Sequence, residues 1–134
     1  MTPLVVVAED DRHIARLVEL ALEPLGLAVE PLACGRAALE RLRRPPPPDL
    51  VVLDLTLPGL SGLEVLGGLR GEGPARAIPV LVLSARGDAQ RRAALEAGAT
   101  EFLSKPFDVE QLAALVARLL AAGPGSAGAA EVDP

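Results

Sequence analysis

Five short apolar runs, separated by segments of helical periodicity, constrain the fold of this chain more than any other feature. The runs span residues 4–8, 27–32, 50–53, 78–83 and 102–104. They are continuously apolar rather than alternating, although Pro31 weakens the second, and such runs are typical of strands buried on both faces. Because a helical segment follows each run, we predict an α/β fold with a doubly wound, five-stranded parallel sheet flanked by five helices.

The segments between the runs place apolar residues on one helical face. In the clearest case the pattern begins at Ile14, continues to Leu25 and ends at Gly26, a residue typical of helix C-caps. A second helix is predicted over residues 35–44, before four prolines that we expect to form a stiff surface connection. The other helices are predicted around Leu63, Leu66 and Leu69, over residues 88–97, and from Val109 to Leu119.

Length and composition favour a single domain with an aliphatic core. Half of the 134 residues are hydrophobic, and only two are aromatic. We assign residues 1–122 to the domain and residues 123–134, rich in Gly, Ala and Pro, to a flexible tail or linker stub. The formal net charge of −5 argues against direct binding to nucleic acid. One cysteine, and no leader or long apolar span, lead us to expect a cytoplasmic protein without a membrane segment.

Polar side chains follow the predicted strands at the ends where parallel α/β sheets bind ligands. They are Glu9, Asp10 and Asp11 after the first strand, Asp54 after the third, Ser84 after the fourth and Lys105, the only lysine, after the fifth. Converging carboxylates repel one another, and a hard divalent cation such as Mg²⁺ relieves the repulsion. The ammonium of Lys105 and the hydroxyl of Ser84 suit a phosphoryl group held opposite the metal. The pattern therefore indicates a Mg²⁺-dependent phosphoryl site.

Several other polar residues are better explained by local structure than by chemistry. Asp11 is predicted to cap the first helix, because a helix N-terminus favours negative charge. His13 is expected on the surface of that helix and Cys34 at a strand-to-helix turn. The basic cluster that begins at Arg41 lies at a predicted helix C-terminus, where cations complement the helix dipole.

Four motifs, in this order, resemble those of the receiver domain of two-component response regulators. They are VVVAEDD at 5–11, DLVVLDLTLPGLSG at 49–62, LVLSARGD at 81–88 and EAGATEFLSKPF at 96–107. The resemblance extends over most of the chain, from Leu4 to Ala122. It implies a CheY-like, flavodoxin-like fold with the strand order 2-1-3-4-5.

The resemblance also implies the chemistry of the acidic residues. Asp54 would accept a phosphoryl group from a sensor histidine kinase or a phosphotransfer protein. Glu9 and Asp10, with Asp54 and the backbone carbonyl of Thr56, would hold Mg²⁺, Asp10 directly and Glu9 through water. Self-phosphorylation from a phosphodonor and autodephosphorylation are expected, rather than the activity of a conventional enzyme.

A second part of the resemblance concerns the response to phosphorylation. Ser84 and Lys105 would bind the phosphoryl oxygens and complete the catalytic set with Asp54. Pro106 would follow a cis peptide bond that directs the lysine into the site. Ser84 and Phe102 would form a coupled switch that reports to a downstream effector through the last two helices and the strand between them.

Three other functions share parts of this pattern. A phosphatase of the haloacid-dehalogenase type also uses an aspartate nucleophile, but it needs a second acid where Thr56 stands. A flavodoxin-like FMN binder needs a Ser/Thr/Gly-rich loop where this chain has EDDRH. A pseudo-receiver would act only as a protein-interaction module, and the intact set of acids, hydroxyl and lysine argues against it.

Overall fold

All five predicted strands and all five predicted helices are present in the structure. The computed structural model of the chain describes residues 2–71 and 77–123. The strands are β1 (Leu4–Ala8), β2 (Ala28–Leu32), β3 (Leu50–Asp54), β4 (Val80–Ser84) and β5 (Glu101–Ser104). The helices are α1 (Arg12–Leu22), α2 (Gly35–Leu42), α3 (Gly62–Gly71), α4 (Asp88–Glu96) and α5 (Val109–Ala122).

The strands form one parallel sheet in the order β2-β1-β3-β4-β5. The predicted fold class and strand order are therefore confirmed. β2 lies at an edge and carries Pro31, which is paired with Val7 of β1. An edge position tolerates proline because a proline lacks the N–H that a second neighbouring strand would require.

The sheet separates two apolar layers, and successive residues of a strand point into opposite ones. Val5 and Val7 of β1 pack with side chains of α1 and α5, such as Val18 and Val116. The other layer contains Val6 and Ala8 with side chains of α2, α3 and α4. Because every residue of β3 and β4 is buried, these strands must be apolar on both faces, which explains their continuous hydrophobic runs.

Local capping sets both ends of the first helical segment. The side-chain oxygen of Asp11 accepts hydrogen bonds from the backbone N–H groups of His13 and Ile14, so the predicted N-cap is confirmed. After α1, a short 3-10 turn (Glu23–Leu25) leads to Gly26, whose φ of 73° lies in the left-handed region that favours glycine. The Sγ of Cys34 accepts from the N–H of Ala37 and caps α2.

Some predicted boundaries were wrong by one or two residues. The second helix ends at Leu42 rather than at residue 44, because the chain turns at Arg43 before the prolines. β4 begins at Val80 rather than at residue 78, since Pro79 has no N–H to donate to the sheet. β3 extends one residue further and includes Asp54.

Arg41, which the sequence analysis placed at a helix C-terminus to complement the helix dipole, is buried. Its Nε donates to both carboxylate oxygens of Glu30 on β2, at 3.0 and 3.1 Å. Its second guanidinium nitrogen donates to the backbone carbonyls of Arg44 and Pro46. Arg41 therefore ties the proline-rich connection to the sheet edge, and the earlier interpretation through the helix dipole alone was incomplete.

A second arginine joins elements at the edge of the sheet opposite the predicted site. The guanidinium of Arg70, on α3, donates to the carbonyls of Gly98 at 2.9 Å and Ile78 at 2.6 Å. Both carbonyls lie just before the strands β4 and β5. Burial lowers the pKa of Arg70 from its ordinary value. Its contacts hold α3 against the loops that begin these strands.

The domain assignment of residues 1–122 remains an expectation, and most of the predicted tail, residues 124–134, lies outside the described residues. None of the helices in the described ranges is long and apolar enough to cross a membrane. The peptide bonds Lys105–Pro106 and Pro45–Pro46 are both cis.

Two glycines of α3 offer a matched test of the packing behind β3. A Cβ at Gly62 would lie 2.5 Å from the Cα of Leu55 and 2.6 Å from the carbonyl oxygen of Asp54, whereas a Cβ at Gly67 would meet nothing within 4 Å. We expect Gly62→Ala to lower the free energy of unfolding by about 1–3 kcal/mol through overpacking. Gly67→Ala is expected to raise it by up to about 1 kcal/mol, because alanine favours a helix.

Urea denaturation of the two variants and the parent chain measures both effects. Equal stability of the two variants would contradict the close approach of α3 to the loop after Asp54.

Candidate functional site

The site lies at the carboxyl edge of the sheet, where the chain leaves each strand. Glu9 and Asp10 follow β1, Asp54 ends β3, Ser84 ends β4 and Lys105 follows β5. β1 and β3 are neighbours, but α1 covers one face of the sheet and α3 the other. This reversal opens a crevice between the two strand ends, which is the usual ligand site of such sheets.

Three carboxylates meet in this crevice. Glu9, Asp10 and Asp54 each place one oxygen within 4.8 Å of the others. Glu9 and Asp54 are each only 3% exposed, whereas Asp10 is open to solvent. The carboxylate of Asp11 is instead hydrogen-bonded to the N-terminus of α1, which it caps. The structure thus brings together the three acids predicted to hold a metal.

Lys105 contacts both buried acids. Its Nζ lies 2.7 Å from Oε1 of Glu9 and 3.4 Å from Oδ1 of Asp54. Burial alone would lower the pKa of the lysine, but the hydrogen bond to Glu9 and the charge of Asp54 outweigh it and raise the pKa above its ordinary value. Lys105 is therefore held in its charged form with its ammonium between the two carboxylates.

Glu9 has the most perturbed environment of the site. Burial raises its pKa from 4.5 to about 7, despite the hydrogen bonds that its carboxylate accepts from Lys105 and from the backbone N–H of Asp11. The nearby charge of Asp54 adds to the rise. The single positive charge of Lys105 does not balance the three carboxylates of the cluster. A divalent cation would favour their ionised forms, and oxygen donors of this kind suit Mg²⁺.

The loop after β3 positions the Asp54 carboxylate. The backbone N–H of Thr56 donates to Oδ1 of Asp54 at 3.2 Å. The N–H of Leu55 donates to the carbonyl of Leu83, and the N–H of Gly62 donates to the carbonyl of Leu55. These bonds hold the start of the loop against β4 and α3, so the carboxylate sits on a rigid support.

Ser84 lies on the neighbouring strand but is bonded away from the acids. Its hydroxyl donates to Oε1 of Gln90 at 2.9 Å and accepts from the backbone N–H of Arg86 at 3.0 Å. Sequence reasoning missed Gln90. Its one signal was a polar residue six positions after Ser84 at the start of an Ala- and Arg-rich helix, which does not by itself identify a contact.

Phe102, the predicted partner of Ser84, is buried within the layer that contains α2, α3 and α4. The guanidinium of Arg91 lies over its ring, 5.7 Å from the ring centre. Arg91 directly follows Gln90, so consecutive residues of α4 contact the two residues predicted to form the switch.

A pocket of about 310 Å³ opens beside the acidic cluster. Glu9 and Asp10 lie on its wall, together with Arg12 and Arg16 of α1 and Pro31 of β2. The pocket therefore lies between α1 and the end of β2 and borders two of the three clustered acids.

Comparisons with known proteins agree with this geometry. The family model described as response regulator receiver domain matches residues 5–117. The transcriptional regulatory protein KdpE of Mycobacterium tuberculosis (strain H37Rv) is 43% identical over 131 residues, which cover 97% of this chain and 55% of that protein. The chain therefore spans about half the length of this curated relative.

Two solved receiver domains share the fold over 90% of this chain and 99% of their own. The receiver domain of the sensor histidine kinase PA1611 from Pseudomonas aeruginosa has a TM-score of 0.82 at 26% identity, and a magnesium ion is coordinated in its active-site cleft. The BeF3-activated receiver domain of DrrB, a Thermotoga maritima protein, has a TM-score of 0.79 at 31% identity.

The raised pKa of Glu9 predicts a pH dependence of the metal-free protein. Between pH 4.5 and about 7 the folded protein keeps a proton on Glu9 that the unfolded chain has released. The free energy of unfolding should therefore fall as the pH rises through this range. Lys105 does not contribute there, since its pKa is raised from an ordinary value of 10.5.

Chemical denaturation at several pH values, in a chelator, compares the parent chain with Glu9→Gln. The variant is expected to lose this fall in stability, and the same slope in both proteins would contradict the assignment.

Proposed function

The chain belongs to the response regulator receiver domain family, and we propose that Asp54 is its phosphoacceptor. The observation that carries the proposal is the position of Asp54. Its carboxylate ends a fully buried strand, 3.4 Å from the Lys105 ammonium and within 4.8 Å of two further carboxylates. A buried acid in such surroundings needs compensation by cations, and it suits a nucleophile better than a surface acid would.

We infer that the phosphoryl donor is a phosphohistidine on a sensor kinase or a phosphotransfer protein. A carboxylate oxygen of Asp54 attacks phosphorus, the new O–P bond forms as the P–N bond breaks, and the electron pair leaves with the imidazole nitrogen. Catalysis of this kind of transfer rests on positioning and charge stabilisation. The later attack of water on the same phosphorus would return Asp54 to a free carboxylate.

The acidic cluster fits Mg²⁺. Asp10, Asp54 and the backbone carbonyl of Thr56 would hold the ion, and Glu9 would contact it through water. When bound, the ion neutralises charge on the phosphoryl oxygens and on the carboxylates around it. The convergence of three acids and the raised pKa of Glu9 support this site, as does the magnesium in the PA1611 receiver domain.

Lys105 and Ser84 would bind the phosphoryl oxygens. The ammonium of Lys105 already lies between the acids, so a phosphoryl group on Asp54 would meet it with little rearrangement. Charge-assisted hydrogen bonds of this kind are about twice as strong as neutral ones. Ser84 ends the adjacent strand, and its hydroxyl is the second donor.

We also propose that the domain acts in the cytoplasm and reports to an effector through the surface of α4, β5 and α5. The curated relative is a transcriptional regulatory protein about twice as long as the matched region. The net charge of −5 favours a protein partner for this part of the chain rather than direct contact with nucleic acid. A pseudo-receiver that only binds partners is the alternative that the next experiment excludes or supports.

Incubation with acetyl phosphate and Mg²⁺ should add one phosphoryl group, detected by intact mass. Asp54→Asn is expected to remove the modification, because an amide is a poor nucleophile, and a chelator is expected to prevent it. Asp108→Asn, at the N-cap of α5, is the matched control and should be modified like the parent chain. Modification of Asp54→Asn at the parent rate would refute the assignment, and no modification of the parent would favour the pseudo-receiver.

Adjacent acids allow a separate test of the metal site. Asp10→Asn is expected to weaken Mg²⁺ binding about tenfold or more in calorimetric titrations, because it removes a charged ligand. Asp11→Asn should leave the affinity nearly unchanged, since Asp11 caps α1 and asparagine is also a good N-cap. Equal loss in both variants would point to general electrostatic attraction instead of direct ligation.

A further inference from the structure

The hydroxyl of Ser84 is already engaged when the protein is unphosphorylated. Ser84 is 2% exposed, and its hydroxyl donates to Oε1 of Gln90 while accepting from the N–H of Arg86. A serine hydroxyl has one hydrogen to donate. While the Ser84 hydroxyl donates this hydrogen to Gln90, it cannot donate it to a phosphoryl oxygen.

We propose that Gln90 is a positioning residue that holds Ser84 on α4 and sets how readily the site accepts a phosphoryl group. The proposal rests on the function proposed above. Phosphorylation would then be an exchange in which the hydroxyl leaves the amide oxygen of Gln90 and donates to the phosphoryl group. The free energy of the Ser84–Gln90 hydrogen bond opposes this exchange.

The same exchange would reach the output surface through the first turns of α4. Gly87, at the N-cap of α4, makes no side-chain capping bond, and Ala94 is the one fully buried residue among the described side chains of α4. The bond between Gln90 and Ser84 therefore links the first turns of this helix to the end of β4. The guanidinium of Arg91, the next residue, lies over the ring of Phe102. Loss of the hydrogen bond between Ser84 and Gln90 would therefore free a residue adjacent to the one that contacts the predicted switch aromatic.

Two substitutions of similar length separate the hydrogen bond from packing. Gln90→Met removes the acceptor and keeps a good helix former, whereas Gln90→Glu keeps an acceptor of greater strength. The probe is beryllofluoride with Mg²⁺, the anion bound in the activated DrrB receiver domain. Gln90→Met is expected to tighten its apparent affinity about threefold to tenfold, because no bond to Gln90 has to be broken, and Gln90→Glu to weaken it.

A readout without metal or phosphate comes from the backbone amide of Arg86, which donates to Ser84 Oγ. In the free protein, Gln90→Met should shift the NMR signal of this amide and speed its hydrogen exchange. Arg92→Met is the control on the same helix, since Arg92 is exposed and pairs with Glu96. It should change neither the amide signal nor the affinity.

A double-mutant cycle decides the mechanism. In the Ser84→Ala background, Gln90→Met should have no further effect on beryllofluoride affinity, because the bond that it removes is already absent. An equal effect in both backgrounds, or none in the parent, would overturn the role of Gln90 while leaving Asp54 phosphorylation intact. If the parent chain is never phosphorylated, the proposed function fails, and the role of Gln90 in it fails as well.

Discussion

The burial of two carboxylates beside one ammonium is the constraint on which the site depends. Among the described residues, Lys105 is the only cation in an ion pair with Glu9 or Asp54. One positive charge cannot balance two buried negative ones. Burial, with a further contribution from the charge of Asp54, raises the pKa of Glu9. The parallel sheet enforces this crowding, because it brings the ends of β1, β3 and β5 to one edge. Binding of a cation at this edge would therefore reduce the repulsion between the carboxylates that the fold brings together.

The fold was largely predictable because its strands are short, continuous and apolar. A strand buried on both faces, such as β3, has a continuous apolar sequence that differs from the pattern of a surface strand or helix. Since the carboxyl ends of parallel strands lie at one edge of the sheet, Glu9, Asp54 and Lys105 are brought close together there. The contacts of Arg41 and Gln90 were not predictable. They join side chains that lie close only after α2 and α4 have packed, and helical periodicity carries no information on such pairs.

The strand that carries Asp54 and the nearby helix α4 differ in how firmly they are attached to the rest of the domain. Asp54 lies on a strand with every residue buried and with hydrogen-bonded strands on both sides. Among the described side chains of α4, Ala94 is buried and Leu95 is half-buried against the core, and the N-cap residue Gly87 makes no side-chain capping bond. Segments with few buried contacts open at lower free energy than core strands. A phosphoryl group on Asp54 would therefore lie on a firmly held strand and close to a helix with few buried contacts.

Pro31 has a consequence beyond its place in β2. An exposed sheet edge presents unpaired N–H and C=O groups, and it can template pairing with another chain. At Pro31 the backbone has no N–H to offer, and at the neighbouring Glu30 the side chain is engaged by Arg41. The opposite edge, β5, has only four residues. Both edges are thus poor templates for strand addition, which protects a Val- and Leu-rich sheet from intermolecular β-aggregation.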